Sequence, residues 1–538
     1  MVDASAPAPA PRHDHVLEGP RRLSRSLLWG LQRTYYEQRG PSAWSTHQVP
    51  WFVTSNGCLA RAYAEVIDAF LRDVAAGQAD PHAAPTVHLV EVGAGHGRLG
   101  FLLLEQLTAL AQARAELGPR APWRYVMTDV AESNLAACAA HPALRPHLEA
   151  GRLDLARFDA EADTELHLRQ SGVVLAPAAA AGPIVVIANY VFDSLRHDAF
   201  RVDAGVVSES LAALHGSAPE PDLGDPALLE RIELVYQHAP IAPGYYGDPA
   251  LDAILDEYQR TLHDTVVTVP VGPLACLRHL RALARGPMLL LSADKGDVHP
   301  DELLRRLAPQ PVVHGSFSLT VNYHAIATWV RHLGGQALPV TPRPGTVVMT
   351  GYLLDAPPPA VARTAAAFAT HVEAFGPMDF LLLQDELRPA DRPLGLAAAL
   401  ALLRFSDWDP SLFYRVVDRM LPQLDDAGAD LRRETRRALG RVWARYYHLG
   451  GTQDLPFEIA RVWQRLGLTQ EAMRMYEQSI ALFGDSPVTQ HNLGLCLYDT
   501  DQRYPEALAA FERSLALDPG YGPSLTWKIK TEAELRGA

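Results

Sequence analysis

Val87-His88-Leu89-Val90-Glu91-Val92-Gly93-Ala94-Gly95-His96-Gly97-Arg98 decides the fold of this chain. Apolar and β-branched residues lead into an acid, and glycine then occupies every second position. An apolar run, Leu99-Gly100-Phe101-Leu102-Leu103-Leu104, follows at once. The pattern predicts a buried strand, a tight turn and a helix start. Glycine permits positive φ in such a turn and lets the backbone press against a ligand. Glu91, two residues before the first glycine, sets the ligand's chemistry. A carboxylate there repels a pyrophosphate and suits a ligand with a positive end and no phosphate, which describes S-adenosylmethionine.

The rival is a dinucleotide site, because Gly95-His96-Gly97-Arg98-Leu99-Gly100 satisfies G-x-G-x-x-G. That pattern also wants an acid about 20 residues further on. The candidate acid, Asp129, lies 32 residues after Gly97, a poor fit. A glycine-rich βα turn with no ligand is the third reading. The expected fold is α/β: a class I methyltransferase (Rossmann-like) doubly wound sheet.

At 538 residues the chain is too long for one core. The formal charge of −14, with no basic block, argues against a nucleic-acid partner. Cys58, Cys138, Cys276 and Cys496 are far apart and form no CxxC pair, so neither structural zinc nor a disulfide framework is expected, and no metal. Reduced cysteines suit a cytoplasmic protein. Residues 1–20 read as a disordered tail rich in Ala and Pro. Residues 173–192 carry no charge, but Pro177, Gly182 and Pro183 interrupt them, so a loop and a buried parallel strand are expected in place of a membrane span.

Helices with one loop are expected over 23–76, the loop holding Trp44 and Pro50-Trp51-Phe52-Val53-Thr54-Ser55. Strands follow at 86–92, 123–130 (ending on Asp129), 153–158 (ending at Asp159), 183–188 (ending on Asn189) and 287–292 (ending on Asp294). Apolar runs alternating with helices imply a parallel sheet wound on both faces, with ligands beyond the carboxyl ends of its strands. A helical insertion is expected at about 202–286, with helices near 226–236, 250–263 and 274–284, as a substrate cap. A helix near 322–333 and strands near 311–319 and 345–354 complete the sheet, the last a candidate antiparallel strand. The first folded domain is thus 21–356.

Helices alone are expected from 357. Ala472, Tyr476 and Ser479 recur 35 residues later as Ala507, Phe511 and Ser514. A period near 34 with these residue types resembles the tetratricopeptide repeat. An all-α C-terminal domain of tetratricopeptide-like repeats and a capping helix is expected at 453–538, after a helical linker or degenerate repeats at 357–452. Such stacks present a concave surface that holds a peptide or protein.

In the expected site, Glu91, Gly93, Gly95 and Gly97 hold the methionine portion of the cofactor. Asp129 takes both ribose hydroxyls, since a carboxylate accepts two hydrogen bonds. Asp159 is a candidate for the adenine amino group, or a solvated loop acid. Asn189 orients the nucleophile or contacts the cofactor, Tyr190 walls the pocket, and Asp193 accepts a proton or caps a helix.

Glu91-Val92-Gly93-Ala94-Gly95, Phe52-Val53-Thr54-Ser55 and Asn189-Tyr190-Val191-Phe192-Asp193-Ser194-Leu195 together resemble the MidA-like methyltransferases, relatives of the mitochondrial complex I assembly arginine methyltransferase. Ser318-Leu319-Thr320-Val321-Asn322-Tyr323 is similar to the family's Thr-x-x-Val-Asp-Phe segment, which places Asn322 and Tyr323 at the substrate. The resemblance spans about residues 25–355. It implies S-adenosylmethionine as donor and a protein acceptor, with an arginine or another nitrogen as nucleophile. This chain has Tyr190 where the family motif has glutamate, and guanidinium binding in a dry pocket wants carboxylates.

The expectation is a methyltransferase that acts on a protein or peptide recruited by the repeats, with no nucleic acid and no membrane as partner. The alternatives are a small-molecule methyltransferase whose repeats form a homodimer, and a non-catalytic cofactor-binding scaffold.

Overall fold

The computed structural model describes residues 15–40, 52–177, 182–220, 222–341, 343, 347–374, 376–386, 394–500 and 503–537. Trp44, Pro50 and Trp51 of the expected loop, and positions 1–14 of the expected tail, lie outside them.

The chain forms two compact units, Met1–Leu382 and Leu383–Ala538. The first is built on a seven-stranded sheet of Val87–Glu91, Trp123–Asp129, Leu153–Arg157, Gly182–Asn189, Ala284–Asp294, Gln336–Ala337 and Val348–Leu354. Counted in chain order, these lie side by side as 6-7-5-4-1-2-3. The first five are mutually parallel, and Val348–Leu354 runs antiparallel to both of its neighbours. Val87–Glu91 is buried throughout, as is Gly182–Asn189 up to its last residue. Strands covered on both faces read as unbroken apolar runs, which is why the sequence exposes them. Strand order reverses between Val87–Glu91 and Gly182–Asn189, and the crevice at such a switch point is where ligands bind.

The insertion is not helical alone. Asp198–Asp203, Val206–Gly216, Ile232–Pro240 and Thr265–Val269 form a second, antiparallel sheet. Residues 15–21, expected as tail and domain edge, are its fifth strand, paired with the far half of Val206–Gly216. Pro226–Arg231 is a short 3-10 helix that gives way to a strand, because Ile232-Glu233-Leu234-Val235-Tyr236 alternates with period two. The expected helices near 250–263 and 274–284 are present as Pro249–Thr261 and Val271–Leu283. The expected strand at 311–319 is a separate hairpin, Val312–His314 with Ser316–Ser318, outside the main sheet.

The first unit extends past the expected end at 356. Ala362–Phe368 packs on the Gly57–Ala76 helix, where the buried Asp73 carboxylate accepts from Thr364 N (2.9 Å) and Thr364 Oγ1 (2.8 Å).

In the second unit Leu455–Arg465, Thr469–Phe483, Pro487–Asp499, Tyr504–Leu517 and Gly522–Gly537 pack each on the next. Ala472, Tyr476, Ser479, Ala507, Phe511 and Ser514 are all buried. Gly494 lies against the Phe511 ring, where a Cβ would stand 2.6 Å from Cε1, so helix contact there requires glycine. Among the described residues no helix is long and apolar enough to cross a membrane.

Candidate functional site

A cleft of about 230 Å³ opens at the switch point. Its floor is the glycine turn. Gly93, Gly95 and Gly97 have φ of +66°, +54° and +78°, which L side chains rarely adopt. Val92 N donates to Ile187 O (2.9 Å) and Ala94 N to Thr128 O (2.8 Å), so both neighbouring strands hold the turn. Gly93 and Gly95 line the cleft. Gly97 does not, contrary to expectation: it caps the Arg98–Ala113 helix, where its left-handed backbone starts the first turn.

Glu91 reaches the cleft from beneath the turn with 4% exposure. Tyr125 Oη donates to its Oε2 (3.0 Å). Among the described residues no cationic side chain pairs with it. Burial, reinforced weakly by Asp129, therefore raises its carboxyl to about 8. Gly100 makes this possible, because a Cβ there would overlap Met127 Cε and lie 2.7 Å from Glu91 Oε2. Gly100 was legible only as the last glycine of G-x-G-x-x-G, and its function is to make room for an acid.

Asp129 stands across the turn. Its Oδ1 accepts from Ala131 N (2.8 Å) and Asn134 Nδ2 (3.1 Å), and its Oδ2 from Gly95 N (2.9 Å). A carboxylate has about four lone-pair sites, so one on Oδ2 remains for a ligand hydroxyl. His96 also lines the cleft, and burial lowers it to about 3, so it is neutral.

Asp159 and Glu161 form the next wall, each facing an arginine. Arg33 Nη1 lies 2.8 Å from Asp159 Oδ2. Glu161 Oε1 accepts from Arg196 N (2.9 Å), and Glu161 Oε2 lies 3.5 Å from Arg196 Nη1. At the end of Gly182–Asn189, the Asn189 amide donates to Thr54 O (3.1 Å) and accepts from Tyr63 Oη (3.2 Å). Tyr190 follows with φ +50°, a left-handed conformation that costs an L residue about 1 kcal/mol and turns its ring to the cleft.

Three expected residues fall elsewhere. Asp193 is buried and off the cleft, because the 3-10 turn Phe192–Ser194 directs it inward against Asp294. Asn322 is a helix cap: its Oδ1 accepts from Ala325 N (2.9 Å), while Nδ2 donates to Tyr258 Oη (2.9 Å) and Thr268 O (2.8 Å). Tyr323 is buried with its hydroxyl 2.7 Å from Ser292 Oγ. Both sit in the core because their helix, Tyr323–His332, buries its opening turn.

The sequence reading missed a wall. Trp29, Gln32, Arg33 and Tyr36, from the Leu28–Arg39 helix, line the cleft with Ser194 and Arg196. Gln32 Nε2 donates to Phe317 O (2.6 Å) and Trp29 Nε1 to Leu23 O (2.8 Å), which fixes the helix against the Ser316–Ser318 strand and the Leu23–Arg25 turn. Spacing at i, i+3, i+4 and i+7 was the available signal.

No protein-family model matches the chain, and no curated protein matches it. Two solved structures from Burkholderia thailandensis, members of one superfamily, are similar. One is the native form of an uncharacterized protein: 17% identity, 60% of this chain and 74% of that chain covered, TM-score 0.36. The other is a candidate methyl transferase bound to S-adenosyl-homocysteine: 16% identity, the same coverage of 60% and 74%, TM-score 0.35. At these values neither carries function across to this chain.

Proposed function

We propose that the first unit is an S-adenosylmethionine-dependent methyltransferase. The observation that carries this reading is Glu91: a carboxyl buried under a positive-φ glycine turn, with no cationic partner among the described residues and held up to about 8. Such a group awaits a ligand cation and opposes a phosphate. The strand order, with an antiparallel strand inserted next to the edge, supports the reading, since it is the arrangement of class I methyltransferases.

Glu91, Gly93 and Gly95 would hold the amino-acid end of the cofactor, the spare lone pair of Asp129 a ribose hydroxyl, and the wall at Asp159 the base. The cofactor supplies a methyl group activated by sulfonium charge. The protein's part is alignment, desolvation and proton removal. Trp29, Tyr36 and Tyr190, which line the cleft with Ser194, would form the acceptor half beside Asn189. The acceptor is a protein or peptide, consistent with the resemblance to MidA-like methyltransferases, and tetratricopeptide-like repeats in the second unit recruit it. With Asp159 and Glu161 facing arginines, a guanidinium finds little free charge to meet.

The test is calorimetric titration of the full chain with S-adenosylmethionine, with NADH in parallel. Micromolar binding of the first alone supports the reading, and binding of neither refutes it. Labelled methyl incorporated from the cofactor into the macromolecular fraction of a cell lysate supports a protein acceptor. Label confined to the filtrate refutes that part.

A further inference from the structure

Beneath the acceptor half lie two carboxyl groups that do not themselves line the cleft. Asp193, in the Phe192–Ser194 turn, and Asp294, at the end of Ala284–Asp294, are both buried and face each other. Asp193 N donates to Asp294 Oδ2 (3.1 Å) and Lys295 N to Asp294 Oδ1 (2.8 Å). Two buried carboxyls that face each other in a dry site do not both ionise, so the pair keeps one proton. Burial holds Asp193 at about 6. Asp294, facing that charge as well, stays protonated.

The pair connects to the cleft through one hydroxyl. Ser194 Oγ donates to Asp193 Oδ1 (2.9 Å) and also neighbours the Tyr36 hydroxyl, which accepts from Ser316 Oγ (3.0 Å). Ser194 and Tyr36 both line the cleft. With its single proton given to Asp193, Ser194 has lone pairs left to accept. The chain Ser316, Tyr36, Ser194, Asp193 can therefore be polarised inward along its whole length.

We propose that Asp193 and Asp294 are the proton sink of the methyl-transfer site, reached through the Ser194 hydroxyl. This rests on the methyltransferase reading above. The acceptor's lone pair forms the new bond to the methyl carbon as the carbon–sulfur bond breaks, its electron pair going to sulfur. The acceptor is left with one proton in excess. That proton passes to Ser194 Oγ, whose own proton moves to Asp193 Oδ1, and the pair changes from one proton to two. Bulk water returns the pair to its starting state after product leaves. The other titratable groups facing the pair are Lys295, Tyr36, Tyr190 and Tyr323. The tyrosines are held neutral by burial and Lys295 favours the ionised pair, so none competes as base. Asp193 and Asp294 are positioning residues that act through Ser194.

Two measurements on the full chain test this. Infrared difference spectra between pH 5 and 8 should show a protonated-carboxyl stretch that titrates near 6 and is lost in Asp193→Asn, while Asp294, protonated throughout, cancels. Labelled-methyl transfer to cell lysate should fall about 100-fold in Ser194→Ala, the usual contribution of a positioned base. Ser194→Thr should restore most of it, with S-adenosyl-homocysteine affinity unchanged in both. Wild-type transfer should rise with pH through about 6, and this limb should vanish in Asp193→Asn. A wild-type rate in Ser194→Ala overturns the relay alone, as does an infrared band indifferent to Asp193→Asn. No cofactor binding and no label in the wild type, with the band intact, overturns the methyltransferase reading and the relay's role with it.

Discussion

Replacing Glu91 by glutamine should make the empty protein more stable while abolishing cofactor binding. The folded carboxyl is held at about 8 against 4.5 in the unfolded chain. Between these values the folded state keeps a proton that the unfolded state has lost, so stability falls as pH rises. Integrating the linkage relation over this one group gives a loss of about 3 kcal/mol between pH 4 and 7, and about 5 kcal/mol by pH 9. Below pH 4 the group is neutral in both states and costs nothing. Glutamine keeps the shape and the acceptor for Tyr125 Oη but carries no charge to lose. The stability of Glu91→Gln minus that of wild type should thus be near zero at pH 4, climb through neutrality and level off above pH 8. Scanning calorimetry of both proteins at several pH values, following the transition that S-adenosyl-homocysteine shifts, measures it. Wild-type affinity for the cofactor should meanwhile rise with pH up to about 8, because binding a cation needs the ionised form. A stability difference that is flat from pH 5 to 8 would refute the account of Glu91.

Gly100→Ala should cost about 1–3 kcal/mol in thermal unfolding and weaken cofactor binding, since the new methyl overlaps Met127 and crowds Glu91. Asp129→Asn should reduce cofactor affinity at least tenfold by calorimetry, because one of its two ends must now present N–H groups to the donors Gly95 N or Ala131 N. Asp73→Ala leaves Thr364 N buried without its acceptor, and faster hydrogen exchange over residues 362–368 should report it.

The parallel sheet was legible because its strands are buried on both faces and end in the residues that line the cleft. Glu91, Asp129, Asn189 and Tyr190 were found for that reason. The second sheet was not, because Ile232–Pro240 keeps most of its side chains exposed and follows a helix-like Pro226-Ala227-Leu228-Leu229-Glu230 segment. Asp193 looked like a cleft acid from its place after a strand end, yet a single 3-10 turn reverses its direction. Its partner Asp294 lies 101 residues away, beyond the reach of any local pattern. The cleft wall at 29–36 was hidden in plain composition: Gln32, Arg33 and Tyr36 read as the wet face of a helix.

That wall also fixes an order of assembly. The Leu28–Arg39 helix leaves the ribosome early, but its anchors, Phe317 O and Ser316 Oγ, come 285 and 280 residues after Gln32 and Tyr36. Closing contacts of such span is slow, and domains are completed as synthesis proceeds. The glycine turn, with Asp129 and Asn189, can therefore exist on a nascent chain well before the cleft has its fourth side. A half-made protein has the glycine turn and its carboxylates but no enclosed cleft. Ligand capture becomes a property of the nearly finished first unit.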